Sequence, residues 1–401
     1  MLVALVATLA LWPLVLGCGG GGSSGGDQSS SHATQQPGQR AQSGTDKASS
    51  GDARFSAQNL HKLDRTIAQV RKDKNLPGVL VGVSVPGEGE YLSAQGSANL
   101  HTGTKPQPSD QSRVGSVTKT FVATAILQLV EEGKLSKSDT LAKWYPDFPN
   151  AEEITVDDLL RMRSGIPHYW NEKTLKQYYD NPQQDVTNED IIEATAAKAD
   201  QFEPPDQETE YSDTNYNILG AILKKVSGND IATQLDQSII SPLGLENTHY
   251  PTDDELPGDL HGYGLEPKSG ELEDKIILNP TPSDGAGAMI SDMSDLAVWG
   301  RALYKGDLLT PKTQQARLEV QREEGASGRP QGYGEGIAKL GNLWGHGGTI
   351  AGFSTDMWYI PEEDATIVIS VNRCDETYVN QSNYVLILVL KSFFPETLKD
   401  L

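Results

Sequence analysis

Ser112-Arg113-Val114-Gly115-Ser116-Val117-Thr118-Lys119-Thr120-Phe121 opens an apolar helix that reads from Ser116 to about Glu132, where Gly133 closes it. Ser116 and Lys119 are three residues apart and so share one face of that helix. A serine hydroxyl needs a base before it can attack an acyl carbon at neutral pH. A lysine buried on an apolar helix loses proton affinity, which makes it a plausible acceptor. The helix N-terminus also turns backbone N–H groups toward a developing oxyanion. Taken alone the pair has a plainer reading. Ser-x-x-Lys is common by chance, and Ser116 could simply cap the helix.

Upstream, residues 56 to 74 carry Leu60, Leu63, Ile67 and Val70 at helical spacing, and Pro77-Gly78 ends that helix. Val79 to Val85 is β-branched and reads as buried strand. Pro86-Gly87 starts a turn into a second strand, Glu90 to Ala94, giving a hairpin. Downstream, 140 to 290 reads as short helices and loops rich in Asp, Pro and Gly. Strand patterns return at Leu343–His346, Ser354–Ile360 and Ala365–Val371, and a final helix spans Asn383–Phe393. Strands at both ends and helices between predict an α/β (α+β) fold. Its antiparallel β-sheet is flanked by helices and interrupted by a mostly helical insertion. The expected division is a sheet domain from 55–135 and 291–401, with the insertion at 136–290.

Two further segments carry chemistry. Tyr211-Ser212-Asp213 precedes an apolar helix expected to start near Asn215; a phenol near a lysine can relay protons, though Tyr211 could equally pack in a loop while Asp213 or Thr214 caps the helix. Trp344-Gly345-His346-Gly347-Gly348-Thr349 reads as a strand edge of small residues that lets a substrate backbone approach, with His346 able to donate a hydrogen bond or assist proton transfer; the plain alternative is a glycine-rich turn.

Together the three segments resemble the serine β-lactamase and penicillin-binding family in order and separation: Ser-x-x-Lys, Tyr-x-Asn, then Lys- or His-x-Gly. Within it the likeness is greatest to the branch of class C β-lactamases, D-alanyl-D-alanine carboxypeptidases and related esterases. Flanking stretches agree: Ile154-Thr155-Val156-Asp157-Asp158-Leu159-Leu160 leading into Ser164-Gly165-Ile166-Pro167, then Pro242-Leu243-Gly244-Leu245 and Gly285-Ala286-Gly287. The resemblance spans roughly 56 to 375. It implies that Ser116 forms an acyl-enzyme and that Lys119 and Tyr211 share the base work. It further implies that the N–H groups of Ser116 and Thr349 form the oxyanion hole, and that His346 occupies the place usually held by Lys or His in the third motif. Asp213, Gly347, Gly348 and Thr349 would line the substrate. Asp213 departs from the usual Asn. An ionised Asp cannot donate to a substrate carbonyl; it would instead pair with Lys119, raise its pKa and favour Tyr211 as the effective base.

The chain has 401 residues, with 33 basic against 55 acidic ones and a net charge of −22. That surface repels phosphate backbones and excludes nucleic-acid binding as the expected function. Met1 to Gly17 is apolar, too short for a comfortable membrane span and broken by Pro13. It reads as an export signal (1–17). Val15-Leu16-Gly17-Cys18 resembles a bacterial lipobox, so Cys18 is the expected lipidation site, with ordinary cleavage of a soluble secreted protein as the alternative. Residues 18–54 are Gly, Ser and Gln rich, a flexible tether. The expected location is therefore the cell envelope, outside the cytoplasm and lipid-anchored to the membrane. Gly22-Ser23-Ser24-Gly25-Gly26 matches the nucleophile-elbow pattern, but no strand precedes it. With Cys18 lipidated, Cys374 has no intrachain disulfide partner and is expected to be a small buried or half-buried residue. His101, His168, His249 and His261 lack metal-ligand spacing, so neither metal nor cofactor is expected. His168 follows the Ser-Gly-Ile-Pro loop and is expected as a solvated loop residue, with a place lining the cleft as the alternative. The expected substrate is a small molecule or a peptidoglycan peptide. Lys339 is the one nearby cation for a substrate carboxylate, with Arg329 more distant. Three functions stay open: a hydrolase of D-Ala-D-Ala peptides or β-lactams, an esterase on the same fold, and a non-catalytic envelope binding protein.

Overall fold

The computed structural model describes residues 54–401 apart from 182, 185, 199–204, 206–208, 255, 266–268, 325–329 and 376–379. The export signal, Cys18 and the tether through residue 53 lie outside the described residues, as does Arg329.

A run of β-branched residues with no polar alternation needs cover on both faces. That run forms β1 (Gly78–Val85), of which every residue but Ser84 is buried. β2 (Gly89–Gly96) returns antiparallel with Val83 opposite Tyr91. Two small pairings follow along the chain, β3 (Ser112–Arg113) with β6 (Ile290–Ser291), and β4 (Tyr263–Leu265) with β5 (Leu272–Asp274). The remaining strands are β7 (Gln321–Glu324), β8 (Pro330–Tyr333), β9 (Ala338–Leu340), β10 (Leu343–Ile350), β11 (Phe353–Ile360) and β12 (Ala365–Val371). They join β1 and β2 in one eight-stranded sheet, β2-β1-β12-β11-β10-β9-β8-β7, antiparallel throughout.

The α-helices of four or more residues are α1 (Ala57–Asp73), α2 (Thr118–Glu131), α3 (Val156–Leu160), α4 (Glu172–Asp180), α5 (Asn188–Ala196), α6 (Asp213–Ser227), α7 (Ile231–Leu235), α8 (Asp284–Gly287), α9 (Met293–Lys305), α10 (Pro311–Arg317) and α11 (Asn383–Phe393). The period-2 alternation of a strand separates the layers. Tyr91, paired with Val83, faces α11, its ring 5.7 Å from Phe393. Gly82, one residue earlier, faces the other way: a Cβ there would stand 3.3 Å from Met293 of α9. The terminal helices α1 and α11 thus cover one face, and α9 the other. Phe121 and Trp299 stack at 4.3 Å between α2 and α9, and the Trp299 indole donates to Thr120 Oγ1 at 2.8 Å.

The expected hairpin, the three C-terminal strands and the last helix stand where the hydrophobic pattern places them. Two local expectations shift. Ser116 is not the first residue of the helix proper: Gly115–Val117 is a 3₁₀ turn, and α2 begins at Thr118. The helix expected near Asn215 starts at Asp213. The sheet also extends three strands beyond expectation. β7 to β9 are only three or four residues long, and their Gly, Pro and charged residues hide the alternation.

Candidate active site

The nucleophile turn and the edge of β10 meet through glycines. Gly115 has φ +52°, and a Cβ on it would fall 2.7 Å from Thr349 N. A Cβ on Gly348 would fall 2.0 Å from Val114 O and 3.1 Å from Ser116 N. Only residues without a side chain let the strand cross the turn this closely. The crossing brings the backbone amides of Ser116 and Thr349 to the same seam, as an oxyanion hole requires.

Lys119 is fully buried: its ammonium donates to Ser116 Oγ at 2.8 Å and to Ala286 O at 2.6 Å, and it forms an ion pair with Asp213 Oδ1 at 2.6 Å. The first follows from helical spacing. The second comes from α8, where Gly285 is small enough to pack against the backbone of α6. The third comes from the first turn of α6. Burial pulls the Lys119 ammonium below the ordinary lysine range, and Asp213 offsets only part of that pull. The pairing foreseen from sequence is present, but the balance is reversed: desolvation outweighs the carboxylate, so Lys119 gives up its proton more readily than a free lysine.

Tyr211 lies against the same group, with Lys119 Nζ 5.1 Å from its ring centroid and side-chain hydrogen bonds to Ser116 and Asp213. Burial first, then the Asp213 charge, hold its phenol well above the usual range. It therefore keeps its proton at neutral pH, which removes the expected preference for Tyr211 over Lys119 as base. Asp213 is not a helix cap. It turns to Lys119: burial alone would raise its carboxyl, and the Lys119 charge helps hold it below the ordinary range.

His346 sits on β10 opposite Met357, with only 1 % of its surface exposed. Its Nδ1 lies 2.5 Å from Gly347 O, an atom that can only accept, so the proton resides on Nδ1. Nε2 then accepts from the Tyr333 hydroxyl at 3.2 Å. Burial, and then Lys119, push the imidazole down to about 3, so it is neutral at physiological pH. The rings of Tyr211, Tyr333 and His346 stand 5.7 to 6.2 Å apart.

A family model for beta-lactamase matches residues 63–391. The chain belongs to the beta-lactamase family. Protein flp of Staphylococcus aureus (strain N315) is 25 % identical to it over 337 residues, 80 % of this chain and 65 % of that protein. The family member described here thus spans about two thirds of that relative. Among solved structures, a D-stereospecific amidohydrolase from Streptomyces sp. superposes with a TM-score of 0.73 at 26 % identity, over 84 % of this chain and 98 % of the other. D-amino acid amidase from Ochrobactrum anthropi SV3 superposes at 0.74 with 23 % identity, over 84 % and 99 %, a likeness of fold.

Within this beta-lactamase-family site, the tertiary structure adds residues that sequence reading missed. Tyr333 was lost in the run Gly332-Tyr333-Gly334-Glu335-Gly336; an aromatic flanked by glycines was its one sequence signal. The Ala286 carbonyl has none beyond Gly285-Ala286-Gly287. His168 is not a solvated loop residue: its Nε2 is 3.6 Å from Asp213 Oδ2, with 26 % of its side chain exposed. Lys339 lies over the Trp344 ring at 4.9 Å. Cys374 is buried, and burial pushes its thiol up to about 12, where it is no nucleophile. Among the described residues no cluster of His, Cys, Asp or Glu is arranged to hold a metal, and no helix is long and apolar enough to cross a membrane.

Proposed function

We propose that this serine hydrolase opens amide-type bonds in small D-amino-acid compounds, D-Ala-D-Ala peptides and β-lactams, through an acyl-enzyme on Ser116. The observation that carries the reading is the 2.8 Å contact between a fully buried lysine and a hydroxyl at a helix N-terminus. Lys119, once it sheds a proton, offers a lone pair to that hydroxyl, and Oγ attacks the acyl carbon. The amides of Ser116 and Thr349 receive the oxyanion. The protonated phenol of Tyr211, hydrogen-bonded to Ser116, is placed to give the leaving amine its proton and later to help activate water. His346, neutral and fixed in one tautomer, orients Tyr333 in the wall of the cleft rather than supplying a charge. The name of the Streptomyces relative favours D-configured amides. On sequence alone, we also place the protein in the cell envelope, held to the membrane by a lipid on Cys18.

Labelling with a fluorescent penicillin tests the reading, with Ser116→Ala and Lys119→Ala beside the wild type. The wild type is expected to label, and both variants to lose labelling by at least about a thousandfold while staying folded by circular dichroism. Near-normal labelling of Lys119→Ala would remove the lysine from the mechanism. Absent labelling with turnover of a p-nitrophenyl ester would make the protein an esterase. Neither would leave a binding protein.

A further inference from the structure

Asp213 stands where the family usually carries a neutral Asn, and its surroundings give the exchange a consequence for substrate choice. Its Oδ1 is sealed against Lys119, while 19 % of the side chain stays open. Lys119 in turn lies 2.8 Å from Ser116 Oγ. The carboxylate is therefore two hydrogen-bond lengths from the oxygen that would carry the acyl group. The α-nitrogen of an amino acid esterified to that oxygen is two carbons away from it, a matching reach.

The charged and titratable neighbours present Asp213 with one cation. His168 accepts at Nδ1 from the Trp170 N–H at 3.2 Å, so its single proton sits on Nε2 and faces Asp213 Oδ2. Burial disfavours charging of both His168 and His346. Tyr211 keeps its phenolic proton. Lys119 is thus the sole cation held by Asp213 in the described site, and it is the group that must become neutral for Ser116 to react. A substrate carboxylate, by contrast, finds Lys339 already engaged on Trp344.

We propose that Asp213 binds the ammonium of the substrate, so that the enzyme selects acyl donors with a free α-amine: D-amino-acid amides and short peptides with an unblocked N-terminus. The proposal rests on the Ser116 acyl-enzyme reading and narrows its substrate class. Charge balances in the binding step. The substrate ammonium takes over the carboxylate, Lys119 releases one proton to solvent, and its lone pair turns to the Ser116 hydroxyl. An N-acylated donor brings no cation, leaves Lys119 protonated against Asp213, and sets its amide carbonyl beside an anion.

The test compares kcat/KM for D-phenylalanine amide and N-acetyl-D-phenylalanine amide, in the wild type and in Asp213→Asn. The wild type should prefer the free amine by about tenfold or more, the weight of one charge-assisted hydrogen bond, and Asp213→Asn should erase that preference. The ratio is read within each protein, so a change in the active fraction cancels. A wild type that prefers the acetylated amide, or a ratio that Asn leaves unchanged, overturns the proposal. Turnover of p-nitrophenyl acetate separates this failure from that of the hydrolase itself. Ester turnover abolished by Ser116→Ala, without an amine preference, sinks only the ammonium site. No turnover of any of the three compounds, with no penicillin labelling, sinks both.

Discussion

His346 is held neutral inside the protein with a pKa pushed from 6.5 to about 3, whereas in the unfolded chain it charges near its ordinary value. Only the unfolded state then takes up a proton as the solution turns acid. The contribution of His346 to stability is complete above pH 6.5 and is lost progressively as pH falls toward 3. Between pH 6.5 and 5 the loss is about 2 kcal/mol. Asp356 acts in the opposite sense, since burial raises its carboxyl to about 6 and the native state binds that proton first. His346→Gln isolates the histidine: in urea melts the wild type should lose about 2 kcal/mol relative to the variant between pH 6.5 and 5. Parallel curves would mean that His346 is not buried neutral. At this scale the sequence was legible where chemistry is local. The i, i+3 spacing of Ser116 and Lys119 fixes their contact, whereas Tyr333 and the Ala286 carbonyl reach the site only because other elements deliver them.

The crossing of β10 over the Ser116 turn is an element-level contact, and its glycines are not equivalent. Gly348→Ala drives a methyl to 2.0 Å from Val114 O, a backbone atom that cannot yield unless strand and turn separate. Gly347→Ala meets Asn380 Nδ2 at 3.1 Å, the end of a side chain that can move. Gly348→Ala should therefore cost about 1–3 kcal/mol in a thermal melt. It should also slow penicillin labelling roughly a hundredfold, by parting the two oxyanion amides. The stability loss in Gly347→Ala should be clearly smaller. Equal losses would show that the seam is not set by backbone contact. Long elements such as α1, β1, β11 and α11 were plain in the hydrophobic period. The short edge strands β7 to β9 were not, because three or four residues with glycine and proline carry no usable period.

Across the whole molecule, the helical region and the sheet are locked by a buried charge cluster behind the site. Glu335, with no exposed surface, follows Tyr333 in the loop between β8 and β9. It receives Arg161 at 2.6 Å from the end of α3, and it also pairs with Lys137. Gly336 N–H donates to Leu160 O at 3.2 Å beside it. Glu335→Gln leaves Arg161 and Lys137 to share Asp157 alone and should cost about 1.5–3 kcal/mol, with slower labelling as Tyr333 loses its support. An unchanged melting temperature would deny the cluster that role.

The amino-acid sequence by itself determined the long elements and the Ser116–Lys119 pair. Hydrophobic period and helical spacing act over a few residues and need no distant partner. The tertiary structure alone decided which way each proton leans. Those directions depend on burial and on charges brought together from segments far apart in the chain. Lys119 meets Asp213 only through the docking of α6 on α2, and desolvation there outweighs the carboxylate that local reasoning expected to prevail.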